Sequence, residues 1–349
     1  MNLIQLTREL IDIPSPTGEE MEVCHFLQSF LKDLGYQVQL QEVVPNRANV
    51  IATSGDLPRV VLSTHMDTVS PHIGSSEDSE YLYGRGACDA KGIIAAQIFA
   101  AQRLRAEGIN EVGLLFTVDE EAGSEGAAVA NHHPLASSCQ FLINGEPTNN
   151  KLALGSKGSI RVRITAEGRA AHSAYPECGE SAIEKLLDVL ADIRKCNWPK
   201  DDYFGETTCN IGTIRGGLGP NMIPAHAEAD LQIRLTTPAA PLKLMLEDVV
   251  GVRAQLNYLS VTEPVRMLAV EGFEQSIVRF TTDIPHLTNW GRPLLLGPGS
   301  ILDAHTTHER IARSELSQAV DLYTRLVRTL LTTTPEDVAQ KRAEGVGKR

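Results

Sequence analysis

The chain has 349 residues, 42% of them hydrophobic and 22% charged, so it can bury a full core and is long enough for two domains. Its 32 Lys and Arg residues are outnumbered by 44 Asp and Glu residues, and the formal net charge of -12 excludes nucleic acid as an expected partner. No apolar run approaches the ~18 residues of a membrane span, so no membrane association is expected either. The six cysteines are scattered without a Cys-x-x-Cys pair, which favours reduced thiols in a cytoplasmic protein.

The first part of the chain has the pattern of an α/β layer. The opening residues predict a short amphipathic helix that ends at prolines and lacks the apolar core of a signal peptide. Residues 1–155 then alternate short apolar strands with helical stretches, which predicts a mostly parallel sheet covered by helices on both faces. The predicted elements include strands at 60–64, 112–118 and 140–144 and a helix at Lys91–Ala106.

A different pattern begins near Gly158, where longer strands alternate strictly between apolar and polar residues, so that one face of their sheet is solvated. The predicted order has the sequence of a ferredoxin-like α+β domain: strand 158–166, helix 179–196, strand 206–214, strand 224–235, helix 240–254 and strand 256–266. After about residue 268 the first pattern returns, with helix 271–284, strand 293–296 and helix Ser314–Leu331. We therefore expect a core domain of residues 1–156 and 268–349, interrupted by an inserted domain of residues 157–267.

Metal-ligand residue types follow four of the predicted core strands. In chain order they are His65 and Asp67, then Glu120 and Glu121, then Glu146, then His305, with Asp89 added from a glycine-bearing loop before a helix. Because ligands bind beyond the carboxyl ends of strands in an open parallel sheet, we expect these side chains to converge at one edge. Histidines and carboxylates without thiolates favour zinc, cobalt or manganese in a hydrolytic site.

The number of these residues indicates two metals. One tetrahedral catalytic zinc takes three protein ligands, whereas two metals can share a bridging carboxylate and use the whole set. One carboxylate must then stay unligated to take a proton from water, and Glu120, beside the ligand Glu121, is the natural candidate. Asp67 stands two residues after His65, where it can accept the other ring N–H and fix the tautomer.

Several blocks of the sequence resemble the acetylornithine deacetylase, succinyl-diaminopimelate desuccinylase and aminoacylase group of co-catalytic metallohydrolases, and together they span nearly the whole chain. The matching blocks are STHMDTV, YGRGACDAKG, TVDEEAGSEGA, GEPT, AHSAYPECGESAI, GGLGPNMIPAHAEADLQIR and GPGSILDAHTTHE. The resemblance implies two divalent metals, zinc first and cobalt or manganese as alternatives. It also implies the roles of the residues: His65, Asp89 and Glu146 on one metal, Glu121, Asp89 and His305 on the other, Glu120 as general base and Asp67 behind His65.

The resemblance extends to the inserted domain, which forms a homodimer in that family. The histidine of its Ala-His-Ser motif stabilises the oxyanion there, often in the partner subunit's active site, and corresponds to His172. Asn221 and Arg234 match the family residues that hold the substrate carboxylate or the oxyanion. Gly299 is implied to approach the substrate through its backbone.

The chain departs from the family pattern at two positions. Cys88 stands where serine is commoner, and His308 stands where many members carry aspartate, which makes His308 an alternative to His305 as ligand. Several of the residues also allow a structural interpretation. Asp89 could cap a helix, for instance, and Arg234 could form an ion pair across a sheet. Their joint placement at the ends of separate strands favours the metal site.

The blocks are most similar to deacetylases of acetylornithine, acetylcitrulline and acetyl-lysine, which implies an enzyme of arginine or lysine biosynthesis acting on an N-acyl amino acid. Desuccinylases, aminoacylases, metallo-dipeptidases and carboxypeptidases share the same residues, so the substrate stays open. A binding protein without activity is disfavoured because Glu120 and the ligand set are all present.

Overall fold

The computed structural model describes residues 1–55 and 57–332, which form two compact units. Of the described residues, the first unit contains Met1–Leu154, Met267–Ser276 and residues 282–332, and the second contains Gly155–Arg266 and Ile277–Thr281. The segment Ile277–Thr281, which the sequence pattern assigned to the core domain, thus lies in the second unit.

The helices and strands of the described residues are numbered in chain order. The α-helices are α1 (Leu3–Asp12), α2 (Met21–Asp33), α3 (Lys91–Ala106), α4 (Glu125–Ala130), α5 (Ala182–Ile193), α6 (Ala239–Val250) and α7 (Arg313–Thr332). The strands are β1 (Gln37–Val44), β2 (Arg47–Thr53), β3 (Val60–His65), β4 (Ser76–Glu77), β5 (Tyr81–Tyr83), β6 (Val112–Thr117), β7 (Phe141–Asn144), β8 (Leu152–Ser156), β9 (Gly158–Glu167), β10 (Ala171–His172), β11 (Lys200–Asp201), β12 (Gly205–Glu206), β13 (Thr208–Gly216), β14 (Met222–Ile223), β15 (His226–Leu235), β16 (Gln255–Thr262), β17 (Val265–Arg266), β18 (Gln275–Val278), β19 (Arg292–Leu295) and β20 (Arg310–Ala312).

The first unit is built on a mixed sheet with the strand order β1-β2-β6-β3-β7-β19-β8. Its four central strands, β6, β3, β7 and β19, are parallel neighbours, as predicted. The flanking strands pair antiparallel with their neighbours. Every residue of β3, β6 and β7 is buried, because helices cover both faces of the sheet.

The prediction for α3 matches the structure at both ends, Lys91 and Ala106. The predicted helix at 271–284 is wrong. In its place the chain forms β18 and a short 3₁₀ turn at Ile284–His286. The β-branched residues Ile277 and Val278 favour an extended backbone, and β18 pairs with β8.

The second unit has a four-stranded antiparallel sheet with the order β13-β15-β9-β16, which is the ferredoxin-like arrangement expected from the sequence. Along β15 alternate side chains are buried, as the apolar and polar alternation predicts. The buried side chains form one apolar cluster with the inner faces of α5 and α6. Among the described residues of both units, no helix is long and apolar enough to cross a membrane.

Candidate metal centre

The parallel strands of the first unit deliver their polar residues to one edge of the sheet. His65 is the last residue of β3, and Glu120 and Glu121 follow shortly after β6. Glu146 follows β7, where the hydroxyl of Thr64 donates a 2.8 Å hydrogen bond to the carbonyl oxygen of Gly145 and ties the neighbouring strands together. Because these strands are adjacent and parallel, their carboxyl ends hold the four side chains close to one another.

Asp89 lies between the two histidines that the sequence singled out. Its Oδ1 is 2.9 Å from Nε2 of His65, and its Oδ2 is 3.4 Å from Nε2 of His305. The same nitrogen of His305 lies 2.9 Å from Oε1 of Glu121. Each oxygen of Asp89 thus faces a different histidine, which is the position that a carboxylate bridging two metals requires. These contacts with Asp89 and Glu121 are made by His305, whose side chain is 49% exposed.

Two groups of side chains could each hold a cation. The first is His65, Glu120 and Glu146, and the second is His65, Asp89 and Glu121; within each group the ligand atoms lie within 4.8 Å of one another. The implied ligand sets left Glu120 outside both metals. Its carboxylate lies within 4.8 Å of the candidate ligand atoms of His65 and Glu146, so Glu120 faces the same space as the candidate ligands.

The electrostatics of the site fit a divalent cation. Burial, and then the neighbouring Glu146 carboxylate, raise the pKa of Glu120 well above its usual value. Burial likewise raises the pKa of Glu146, whose Oε1 is buried without a hydrogen-bond partner among the described residues. Hydrogen bonds to Asp89 and Glu121 raise the pKa of His305 to about 10. Carboxylates crowded together in a buried site are destabilised unless a positive charge lies between them, and histidine and carboxylate ligands suit zinc and related metals.

Asp67 holds the loop that carries Glu120 and Glu121. Its Oδ1 accepts the backbone N–H of Glu120 at 3.1 Å, and its Oδ2 accepts the backbone N–H of Glu121 at 3.2 Å and the hydroxyl of Thr17 at 2.8 Å. The ring nitrogen Nδ1 of His65 lies 2.9 Å from the backbone oxygen of Asp67 and 3.5 Å from its carboxylate. The backbone carbonyl is therefore the nearer acceptor for His65, and the carboxylate also fixes the neighbouring loop.

Two ion pairs of Arg47, which the sequence did not indicate, also support the loop that carries Glu120 and Glu121. Nη2 of Arg47 lies 2.5 Å from Oε1 of Glu20 and 2.8 Å from Oδ1 of Asp119. Asp119 has a positive φ of 73°, and its other oxygen accepts the backbone N–H groups of Gly123 and Glu125. The turn just before Glu120 is thus held in a left-handed conformation by its own carboxylate.

Sequence reasoning also missed Asp283. This residue is buried, and its Oδ2 accepts a 2.7 Å hydrogen bond from the hydroxyl of Thr117 at the end of β6. Its negative charge contributes to the raised pKa of both Glu120 and Glu146. Asp283 follows no predicted strand and falls in the segment wrongly predicted as a helix, so the strand-end argument could not find it.

Gly299 packs against the loop that carries Asp89. Its φ is +83°, and a Cβ at this position would lie 2.6 Å from the Cβ of Cys88. The backbone near Gly299 therefore approaches the residue that precedes Asp89, which gives this glycine a packing role in the described structure.

The three remaining predicted residues lie in the second unit and are not all brought together. His172 and Asn221 are neighbours, because β10 pairs with β14 and the N–H of Ser173 donates to the carbonyl oxygen of Asn221 at 3.0 Å. Both side chains are exposed. Arg234 lies near the other end of the unit, where its Nη1 is 3.4 Å from the hydroxyl of Thr281, the residue after which the chain returns to the first unit.

Comparisons with known proteins identify the family. A family model described as a peptidase dimerisation domain matches residues 154–256. The chain is 38% identical to a peptidase M20 domain-containing protein of Schizosaccharomyces pombe, over 93% of this chain and 84% of the relative. The chain belongs to the M20 peptidase family. As an M20 member it is a hydrolase that acts on amide bonds. It is also 35% identical to a probable carboxypeptidase of Paracoccidioides brasiliensis, with the same coverage of 93% and 84%.

Solved structures that are similar to this M20 peptidase have the same fold. A tripeptidase from Staphylococcus aureus has a TM-score of 0.79 at 21% identity, covering 93% of this chain and 98% of the neighbour. A dinuclear metal-binding M20 peptidase of Bacillus subtilis has a TM-score of 0.70 at 14% identity, covering 95% and 98%. At these identities the likeness shows the α/β fold with its inserted dimerisation domain. The general expectation of a metallohydrolase family is confirmed, whereas the acetylornithine deacetylase branch within it stays a prediction.

Proposed function

We propose that this M20 peptidase releases a free amino acid by hydrolysing the amide bond between its amino group and an acyl group. The observation that carries the proposal is Asp89, whose two oxygens face His65 and His305 separately at the edge where Glu120, Glu121 and Glu146 converge. A single-metal site has no need of a carboxylate in this position, whereas a two-metal site does.

The residues present would hold two divalent metals that share Asp89. His65 and Glu146 would complete the ligands of one metal, and Glu121 and His305 those of the other. Zinc is the first candidate, with cobalt and manganese as alternatives. When bound, the metals would supply Lewis-acid activation of the attacking water and of the amide carbonyl.

Glu120 moves the proton in this proposal. Its carboxylate accepts a proton as water adds to the amide carbon, and it gives that proton to the nitrogen as the C–N bond breaks. One water is consumed, and a carboxylic acid and an amine are released. Asp67 keeps Glu120 in place through the backbone N–H that it accepts at 3.1 Å.

The candidate enzyme activities differ in the acyl group of the substrate. A carboxypeptidase and an N-acyl amino acid deacylase break the same bond to the same α-amino group, and differ in whether the acyl part is a peptide or a small acid. The names of the P. brasiliensis relative and the S. aureus structure favour a peptide. The GEPT and GPGSI blocks, which resemble acetylornithine, acetylcitrulline and acetyl-lysine deacetylases, favour a small acid.

The second unit supports action as a homodimer. β14, which pairs with the His172 strand β10, ends three residues before His226 at the start of β15. His226 is eight residues from Arg234 along β15, which is roughly 25 Å at about 3.3 Å per residue. One copy of this unit cannot therefore place His172 and Arg234 on the same small substrate. We infer that the substrate carboxylate is held by Arg234 of one chain, and that His172 and Asn221 are supplied by the other.

The test is the release of free amine from a panel of Nα-acetyl, Nα-succinyl and N-blocked dipeptide substrates, using metal-stripped protein with zinc or cobalt restored. Metal-dependent turnover of acetylated ornithine, citrulline or lysine identifies a deacylase of amino-acid biosynthesis. Turnover of blocked dipeptides alone identifies a carboxypeptidase. Absence of turnover across the panel, with two metals bound, would contradict the proposed function and favour a binding protein.

A further inference from the structure

A buried ion pair lies next to the metal ligands without being part of them. Nη1 of Arg85 is 2.7 Å from Oε2 of Glu309, and both side chains are buried. Arg85 belongs to the loop that leads to Asp89, and Glu309 follows His305 by four residues. The pair therefore joins two segments that are more than two hundred residues apart in sequence and that each carry a predicted ligand.

The Glu309 carboxylate is hydrogen-bonded to the backbone around Asp89. Its Oε1 accepts the backbone N–H of Cys88 and the backbone N–H of Asp89, both at 3.2 Å. These two N–H groups are buried, so they need an acceptor, and one charged oxygen serves both. The backbone of Asp89 is thereby held by Glu309, while its carboxylate contacts the two histidines.

Arg85 extends the connection to the His305 loop. Besides Glu309, its Nη1 donates to the backbone oxygen of Thr306 at 3.2 Å, and Thr306 is the residue after His305. The backbone N–H of Gly84 donates to the backbone oxygen of Glu309 at 3.0 Å, so the two segments are also linked through the main chain. The ion pair thus contacts both the backbone around Asp89 and the residue after His305, and these are the two predicted ligands that it links.

We propose that Arg85 and Glu309 are a positioning pair that fixes Asp89 relative to His305, so that both can ligate the two metals at once. A buried ion pair contributes little to stability by itself, because removing two charges from water offsets their attraction. Its contacts with the Asp89 and His305 segments give it this second role. The inference rests on the proposed two-metal function, since its subject is the geometry of those ligands.

The test measures metal binding rather than activity. Zinc affinity and stoichiometry are determined by calorimetry on the metal-stripped full chain for the wild type, Glu309→Gln, Arg85→Met and the double variant. We expect each single variant to bind zinc ~10–100-fold more weakly, as is typical when partners behind metal ligands are removed. The double variant should lose less than the two single losses combined, because the residues act as a unit. The visible absorption bands of the cobalt-loaded protein should shift in each variant.

Arg85→Lys provides a milder second variant in case a neutral substitution prevents folding. It keeps a positive charge opposite Glu309 and removes the planar group that also reaches Thr306, so we expect a smaller but measurable loss of zinc affinity. Leu27→Ala is the control for a merely structural effect. Leu27 is buried in the apolar cluster of the first unit, so this variant should be less stable and yet bind zinc as the wild type does.

Zinc affinities within twofold of the wild type in all folded Arg85 and Glu309 variants would overturn the inference. An equal loss of affinity in Leu27→Ala would overturn it as well, because the effect would then come from stability. Failure of the proposed function has a separate signature: the wild-type chain itself would bind fewer than two zinc ions. That result would overturn both proposals, since no pair of metals would remain to be positioned.

Discussion

Glu120 and Glu121 are adjacent in the chain but have different surroundings. Oε1 of Glu121 lies 2.9 Å from His305, whereas Glu120 faces Glu146 and has a strongly raised pKa from burial and that neighbouring charge. This difference agrees with the roles proposed for them, one as a ligand and the other as the group that moves a proton.

Glu120→Gln should keep the size of the side chain and remove its capacity to accept the proton. We expect kcat to fall by ~10²–10⁴-fold, while zinc stoichiometry and the melting temperature stay close to those of the wild type. Steady-state kinetics and calorimetry check this. Glu125→Gln, the same change at an exposed position nearby, is the control and should leave kcat unchanged. A Glu120→Gln enzyme that retains the wild-type rate would show that another group is the base.

Gly299→Ala tests the close approach of the 299 loop to Cys88. The new Cβ would meet the Cβ of Cys88 at 2.6 Å in a backbone conformation with φ +83°. We expect the free energy of unfolding to fall by about 2–4 kcal/mol from overpacking and left-handed strain together. Gly108→Ala is the matched control, since Gly108 has φ +84° with nothing within 4 Å of its added Cβ, and should cost about 1 kcal/mol. Equal losses in chemical denaturation would contradict the proposed packing role.

At the scale of elements, the loop after β6 depends on a carboxylate that belongs to the loop after β3. Asp67 accepts two backbone N–H groups and a hydroxyl, and an amide in its place has only one oxygen to accept them. Asp67→Asn should therefore let Glu120 and Glu121 move, with zinc affinity ~10–100-fold weaker and a corresponding loss of kcat.

Asp78 offers a control with the same hydrogen-bond pattern away from the site. It accepts the backbone N–H groups of Glu80 and Tyr81 and the hydroxyl of Tyr83, all at 2.8 Å, on an exposed turn. Asp78→Asn should leave zinc affinity and kcat unchanged in the same assays. Wild-type zinc affinity in Asp67→Asn would refute the positioning role of its carboxylate.

The elements also show what could be predicted from the sequence. Candidate site residues at strand ends could be predicted because parallel strands place their carboxyl ends at one edge, and the structure brings His65, Glu120, Glu121 and Glu146 together there. The rule does not apply to side chains that follow no predicted strand, which is why Asp283 was missed. The role of Glu309 was missed for a related reason, since its partners Arg85 and Asp89 are distant in sequence and their proximity is a product of the fold.

At the scale of the whole molecule, the ferredoxin-like order of the second unit could be predicted because alternation along each strand reports one buried face. The separation of His172 from Arg234 could not be predicted from the sequence. Both residues belong to matched sequence blocks, and only the length and direction of β15 show that they lie at different ends of the unit. This separation motivates the dimer proposal.

A mixed dimer tests that proposal. One chain would carry Glu120→Gln and the other His172→Ala, with two different tags so that the mixed dimer can be purified. If His172 serves the partner's site, one of the two sites has an intact set, and we expect about half the wild-type activity per dimer. Each homodimeric variant, measured alone, is the control and should be nearly inactive. A mixed dimer as inactive as its parents would show that His172 does not act across the dimer.

The central claim is that two metals on this ligand set support amide hydrolysis, and titration of the metal-stripped enzyme tests it most directly. Zinc would be added stepwise while the release of free amino acid from the best substrate of the panel is followed. We predict no release from the stripped protein, a rise in rate as zinc is bound, and saturation at two zinc ions per chain. Full activity of the stripped protein, or saturation at a single zinc ion, would contradict the account.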